Sequence, residues 1–262
     1  MAVHDPLPML ESTAGDCQLS VIIPAFNEEA HLAHNLPTIL EYLEDHYDHF
    51  EVLVIDDGSH DGTARAGAPW ASRGVRTLRF DRNRGKGAAV RFGVLASRGE
   101  AILMVDADLS TPIEEYGRLR PHLDRASLVI ASRAVEASKL ERAQPLPRRL
   151  LGLVFRQVAR AAGVVSIRDT QCGFKLIDGE VARSLFRQMI TDGFAFDVEL
   201  LWLAQQRSHV ICEVGVRWID DPDSRVRPLI DAMAMLLELF RFRLHHAQWP
   251  SREKALPVET ST

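Results

Sequence analysis

Cysteine is scarce: there are three in 262 residues, Cys17, Cys172 and Cys212, an odd number with no C-x-x-C pair. Neither a disulfide framework nor a thiolate zinc site is suggested by that count and spacing, and reduced thiols are expected. Long apolar runs are absent too. None approaches the roughly 20 residues of a membrane-spanning helix. The opening "MAVHDPLPML" has neither the basic patch nor the apolar core of a signal peptide. The expectation is a cytoplasmic protein, which leaves contact with the inner face of a membrane open. An excess of positive charge is also missing. The formal net charge is −5, so nucleic acid is not an expected partner. No internal repeat and no low-complexity stretch occurs. What remains is ordinary globular composition, 46% hydrophobic and 26% charged, with enough chain for one large domain and its core.

Short β-branched apolar runs alternate with helical patterns through the first half. "LSVII" (19–23), "EVLVID" (51–56), "VRTLRF" (75–80), "AILMV" (101–105) and "SLVIAS" (127–132) read as strands. Between them come a helix from about Glu28 to His46 with Leu32, Leu36, Ile39, Leu40 and Leu43 on one face, a short helix near Pro69, a small-residue helix over 85–97 and "PIEEYGRLRPHL". This alternation predicts βαβ units: an α/β fold with a mostly parallel sheet and helices on both faces. The second half predicts helices over 179–190, 193–206 and 229–244 and a strand over 210–219. Residues 139–168 carry seven Lys or Arg against one Glu. Residues 1–17 and 246–262 are expected to be tails around a single domain of 18–245, with halves 18–135 and 136–245.

Ligands in such sheets bind beyond the carboxyl ends of the strands. Each strand named above ends in polar residues: Pro24 to Glu28, Asp56-Asp57, Asp81 to Lys86, Asp106 to Asp108, and Arg133. One cluster is explicable as turn chemistry; five on one edge suggest a site. Asp106 and Asp108, around Ala107, would point the same way if the chain stays extended. Two carboxylates suit one hard cation, Mg²⁺ or Mn²⁺, with diphosphate oxygens completing its shell. The competing reading is an aspartate capping the next helix. "NRGKG" (83–87) opens a helix with glycines and Lys86, which suits a phosphate, though the spacing is not that of a Walker A loop.

The order "VIIPAFNEE", "VLVIDDGSHDGT", "NRGKGAAV", "VDADLST" resembles family 2 glycosyltransferases of the GT-A fold. "DTQCGFKLID" followed by "FDVELL" is similar to the dolichyl- and polyprenyl-phosphate β-glucosyltransferase branch. The resemblance runs from about Leu19 to about Arg243. It implies nucleotide contacts from Pro24, Ala25, Asn27, Glu28, Asp56, Asp57 and Lys86. It implies a D-x-D metal motif in Asp106 and Asp108, and Arg133 near the phosphates. Gln171 and Lys175 would lie on the acceptor side, and Asp197 and Glu199 near the reacting sugar. "DPDSRVRP" carries Arg225 where the family keeps a lysine.

The implied donor is a nucleoside diphosphate sugar, UDP-glucose before GDP-mannose, and the implied acceptor is a polyprenyl phosphate. Arg133, Arg168, Lys175 and Arg225 are candidates to hold that phosphate. A hydroxyl acceptor would instead need a base, with Asp197 or Asp169 first in line. The basic amphipathic segment 146–164 is expected to lie on a membrane surface. The last helix, with Leu229, Met233, Leu236, Leu237, Phe240 and Leu244 on one side, is expected either to do the same or to pack on the sheet. The alternatives are transfer to a soluble or glycan hydroxyl by the same fold and a non-catalytic nucleotide-binding protein; a homodimer is among the expected partners.

Overall fold

The computed structural model describes residues 17–135, 138–140, 167–219, 228–247 and 259–261. The segment 146–164 and Arg225 lie outside the described residues.

Five strands form where expected: β1 (Leu19–Ala25), β2 (Phe50–Asp56), β3 (Val75–Arg79), β4 (Ala101–Met104) and β5 (Leu128–Ser132). They are joined by α1 (Glu29–His46), α2 (Thr63–Ala66), α3 (Lys86–Ala96) and α4 (Tyr116–Leu119). Pro69 and Pro121 stand in 3-10 turns, Ala68–Arg73 and Arg120–His122, so both short helical stretches are broken. Then come β6 (Lys139–Leu140), β7 (Lys175–Asp178), α5 (Gly179–Gln188), α6 (Phe196–Gln206), β8 (Ile211–Gly215), β9 (Arg217–Trp218), α7 (Pro228–His245) and β10 (Glu259–Ser261).

The main sheet has eight strands in the order β10-β8-β5-β7-β4-β1-β2-β3. Every pairing is parallel except those of β7, which runs antiparallel between β4 and β5. Runs such as "VLVI" and "AILM" are apolar throughout because both faces are covered. Leu19, Val21 and Ile23 pack with the buried face of α1, while Ile22, Ile102 and Met104 pack with α3, α5, α6 and α7 on the other side.

Two features depart from expectation. "DTQCGFKLID" contains a strand, β7. Only four residues long and antiparallel, it gives no βαβ signal, yet it inserts between strands of the first half. The expected C-terminal tail also contains β10, which pairs with Cys212–Val214. The edge of β8 offers unpaired backbone groups, and a three-residue polar segment can satisfy them without an apolar pattern of its own. His246, placed in the same tail, is buried.

The antiparallel direction of β7 matters for chemistry. Its first residue, Lys175, lies opposite Met104 of β4 and Ile130 of β5. A strand start is thereby delivered to the edge where its parallel neighbours end.

Candidate active site

β4 ends at Met104, and the chain then turns. The Leu109 amide donates to the Asp106 carbonyl at 3.1 Å, and Leu109 has a φ of 50°. Asp106 and Asp108 therefore sit in a tight turn, where the expected extended spacing does not apply. The turn is held from below: the Asn35 amide on α1 donates to the Ala107 carbonyl at 2.8 Å. Asn35 sits on the apolar stripe of α1, and that lone polar residue was the available signal for its role. One Asp108 oxygen accepts the Ser110 amide at 2.9 Å, a bond within the turn; the helical stretch from Ile113 starts at Pro112 with no side-chain cap, so neither aspartate caps it.

Lys86, the first residue of α3, reaches Asp106 at 2.6 Å. Burial alone would lower the lysine pKa, but Asp106, Asp197 and Asp108 outweigh it and raise it. Gly173 lies against the same carboxylate: a Cβ there would fall 2.1 Å from Asp106 Oδ2. The glycine of "DTQCGFK" thus lets that segment close on the Asp106–Asp108 turn.

Arg133, just after β5, grips Asp169 with Nε and a terminal nitrogen at 2.7 and 2.9 Å, and its own backbone amide adds a third bond at 2.9 Å. Burial would raise the Asp169 pKa, but Arg133 overcomes it and holds the carboxyl at about 2. Asp169 is therefore an anchor for Arg133. A carboxylate so weakly basic does not suit the expected role of general base. Arg133 also stands over the Trp218 ring at 5.4 Å. Glu213 of β8 receives the backbone amides of Arg168 and Asp169 and fixes that loop. The Arg168 side chain is exposed.

Lys175 was expected to meet an acceptor phosphate. It is fully buried instead, bonded to Asp197 at 2.6 Å and to the Cys172 carbonyl at 2.5 Å. Burial raises the Asp197 pKa, and Lys175 and Lys86 only partly offset this. Gln171 turns its amide toward Met235 of α7, 3.9 Å from the sulfur. Glu199 does not reach this cluster. It receives the Ile190 and Thr191 amides and lies 2.9 Å from His246, a structural clamp on the loop before α6.

The first two loops are largely stitched to each other. Ala25 receives the Asp57 amide, Asn27 (φ 56°) receives the His60 amide, and the Glu28 amide donates to Thr63. Pro24 is a residue of β1, paired with Ile55. Asp57, expected beside the base or ribose, accepts the Arg84 and Gly85 amides at 2.7 and 2.9 Å and so fixes the loop that launches Lys86. Gly85 needs its φ of 108° there, since a Cβ would meet the Asp192 carbonyl at 2.4 Å. Asp56 is fully buried; its Oδ2 is 3.3 Å from Arg79 without hydrogen-bond geometry. That leaves an acceptor at the end of β2.

Four aspartates (106, 108, 169 and 197) thus face three cations (Lys86, Arg133 and Lys175). Among the described residues these pair as Lys86–Asp106, Arg133–Asp169 and Lys175–Asp197, which leaves Asp108 as the carboxylate beyond the three pairs. An all-oxygen pair with uncompensated charge fits a hard divalent cation. Among the described residues no group of three or more His, Cys, Asp or Glu side chains could hold a metal. The protein would then supply two carboxylates and leave the other positions to substrate oxygens and water, as Mg²⁺ prefers.

Comparison with known proteins agrees with this geometry. Residues 20–186 match the model of "Glycosyl transferase family 2". The chain is 36% identical to the dolichyl-phosphate beta-glucosyltransferase of Mus musculus, over 87% of this chain and 76% of that protein. Against the enzyme of the same name from Homo sapiens the identity is 35%, with the same coverage. Among solved structures, glucosyl-3-phosphoglycerate synthase of M. tuberculosis, in complex with Mn²⁺, UDP-glucose and phosphoglyceric acid, superposes with a TM-score of 0.64 at 22% identity, over 94% of this chain and 88% of that one. Mannosyl-3-phosphoglycerate synthase of Rubrobacter xylanophilus gives 0.61 at 21% identity, over 92% and 79%. The chain belongs to glycosyltransferase family 2, has the GT-A fold, and is a glycosyltransferase related to the dolichyl-phosphate β-glucosyltransferases.

Proposed function

We propose that this enzyme transfers glucose, with inversion, from UDP-glucose to a polyprenyl or dolichyl phosphate at the cytoplasmic face of a membrane, with Mg²⁺ or Mn²⁺ as cofactor. The observation that carries the reading is the meeting of Lys86, Asp106 and Gly173 at the end of β4, which brings a phosphate-seeking lysine, the D-x-D carboxylates and the acceptor motif to one point. The names of the relatives support the lipid phosphate and glucose. The UDP-glucose and Mn²⁺ complex of the M. tuberculosis neighbour supports the donor and the metal.

As the bond from the anomeric carbon to the diphosphate breaks, negative charge grows on the leaving oxygen. Lys86 is placed to meet that charge, and Arg133 adds to the field while Asp169 keeps its guanidinium oriented. A divalent cation held by Asp106 and Asp108 would supply Lewis-acid stabilisation of the same diphosphate. A lipid phosphate has a second pKa near ~6 and is mostly dianionic at pH 7, so its oxygen attacks the opposite face of the sugar without a base. Asp197 then serves as the counter-charge that keeps Lys175 and Lys86 in register.

A second reading has one observation in its favour. The raised pKa of Asp197 would suit a base acting on a hydroxyl acceptor. Incubation with UDP-glucose, GDP-mannose and other UDP- and GDP-sugars, each with Mg²⁺ or Mn²⁺ and either a short polyprenyl phosphate or a glycan with free hydroxyls, separates the two. Mass spectrometry should find a glucosylated lipid phosphate from UDP-glucose. Product only from a hydroxyl acceptor, with a steep loss in Asp197→Asn, would replace the first reading by the second.

A further inference from the structure

α7 is apolar on two sides. Met235, Leu239 and Phe242 are buried against the body of the protein, together with His246 just beyond the helix. On the other side Met233, Leu237, Phe240 and Leu244 are 61, 68, 69 and 76% exposed. At 100° per residue these four fall within an arc of about 60° and form one unbroken stripe. The side of the helix that sequence reading singled out is therefore the outer one. The packing face is a different set of residues, so folding does not account for the stripe.

We propose that this stripe is the surface on which the protein docks to an anionic lipid bilayer. Charge selects that occupant. From Met233 to Ala247 the one acid is Glu238, which turns inward to receive the Gly193 and Ala195 amides at 2.9 and 3.1 Å. Arg241 and His245 are exposed beside the stripe. A second copy packed on the same face would bring its own Arg241 to the seam, like charge against like. Phospholipid headgroups bring the opposite sign. The stripe is also joined to the site. Phe194, 39% exposed, lies between the two residues that Glu238 holds and three residues before Asp197. On the inner face Met235 meets the Gln171 amide. One helix thus spans from the lipid to the acceptor motif. This docking extends the lipid-phosphate reading and depends on it for its purpose, though not for its geometry.

The full chain is spun with vesicles of phosphatidylcholine alone and with vesicles that also contain phosphatidylglycerol. It should co-sediment with the anionic vesicles, and less so at high salt. Leu237→Glu combined with Phe240→Glu should lower the partition at least about tenfold, because two inserted apolar groups become charged at the interface. Both side chains are exposed, so the thermal melt and transfer to a water-soluble short-chain acceptor should be unchanged. Equal vesicle binding by the variant, or none by the unmodified chain, overturns the proposal. So does a dimer, seen by light scattering, that the variant turns into a monomer while vesicles bind neither. Vesicle binding without transfer to any lipid phosphate supports the docking and rejects the acceptor reading alone.

Discussion

Two lysine–aspartate pairs in this protein share one separation, 2.6 Å, and little else. In Lys86–Asp106 the side chains keep 24 and 34% of their exposure; in Lys175–Asp197 they keep 0 and 5%. The first pair is open enough for an incoming phosphate to take over the lysine and a cation to take over the carboxylate. The second is sealed from solvent, and its two charges answer each other. Equal distance therefore does not mean equal work, and the two pairs should respond differently to the same substitution.

The sharpest break is Lys175→Met. It leaves Asp197 buried and uncompensated, which typically costs about 3–5 kcal/mol. The carboxyl already titrates above its ordinary value, so lowering the pH toward that shifted range should recover part of the loss. Lys175→Met with Asp197→Leu should fold nearly as well as the parent, because removing both charges removes the burial penalty. Lys86→Met, by contrast, should change stability by less than about 1 kcal/mol, since its pair is partly hydrated. Urea unfolding of all four proteins at pH 7 gives the ranking. Equal losses from the two lysines would erase the distinction between open and sealed.

The next effect lies in activity. Asp106→Asn keeps the shape of the open pair and removes the charge that Lys86 meets and that the proposed cation would use. A loss of about 10²- to 10³-fold in kcat is expected, the scale for one electrostatic contact to a developing anion. The melting temperature should hardly move. A fall in melting temperature as large as that of Lys175→Met would mean that the open pair is structural as well.

A third pair, Arg133–Asp169, lies between the two classes, with a half-open cation and a buried carboxylate, and is tested by pH. Asp169 titrates at about 2 in the fold, against roughly 3.9 in the unfolded chain. Its contribution is fully present above pH ~4 and is lost as the pH falls toward 2; its size is about 2–3 kcal/mol. Asp169→Asn should be flatter than the parent across that window in urea melts at pH 6, 4 and 2.5. Parallel curves would mean that Arg133 does not hold this carboxyl down.

The strand-and-helix alternation was legible because β1 to β5 are short apolar runs ended by polar clusters. The convergence of those clusters followed from parallel topology alone. What each polar side chain does there was not legible. An aspartate at a strand end that clamps a loop and one that binds a ligand both need an acceptor near an N–H, and Asp57 turned out to clamp. Glu199 did the same for the loop before α6. The burial of Lys175 depends on β7 running backwards between two strands from another part of the chain, which no local pattern records. Gly173 was visible as a glycine, but its reason, the nearness of Asp106, is tertiary.

The smallest expected effect separates geometry from charge at the open pair. Asn35 donates one neutral hydrogen bond to the Ala107 carbonyl, between Asp106 and Asp108. Asn35→Ala should cost about 1 kcal/mol of stability, the usual net worth of such a bond. If the Asp106–Asp108 turn must be held still to gather a cation, the variant should also need a few-fold more Mn²⁺ for half-maximal activity. Its kcat at saturating metal should stay near that of the parent, because Lys86, Asp106 and Asp108 are all still present. A matching drop in kcat at saturating metal would instead mean that the turn sets the reacting geometry itself, and that the open pair is less adaptable than its exposure implies.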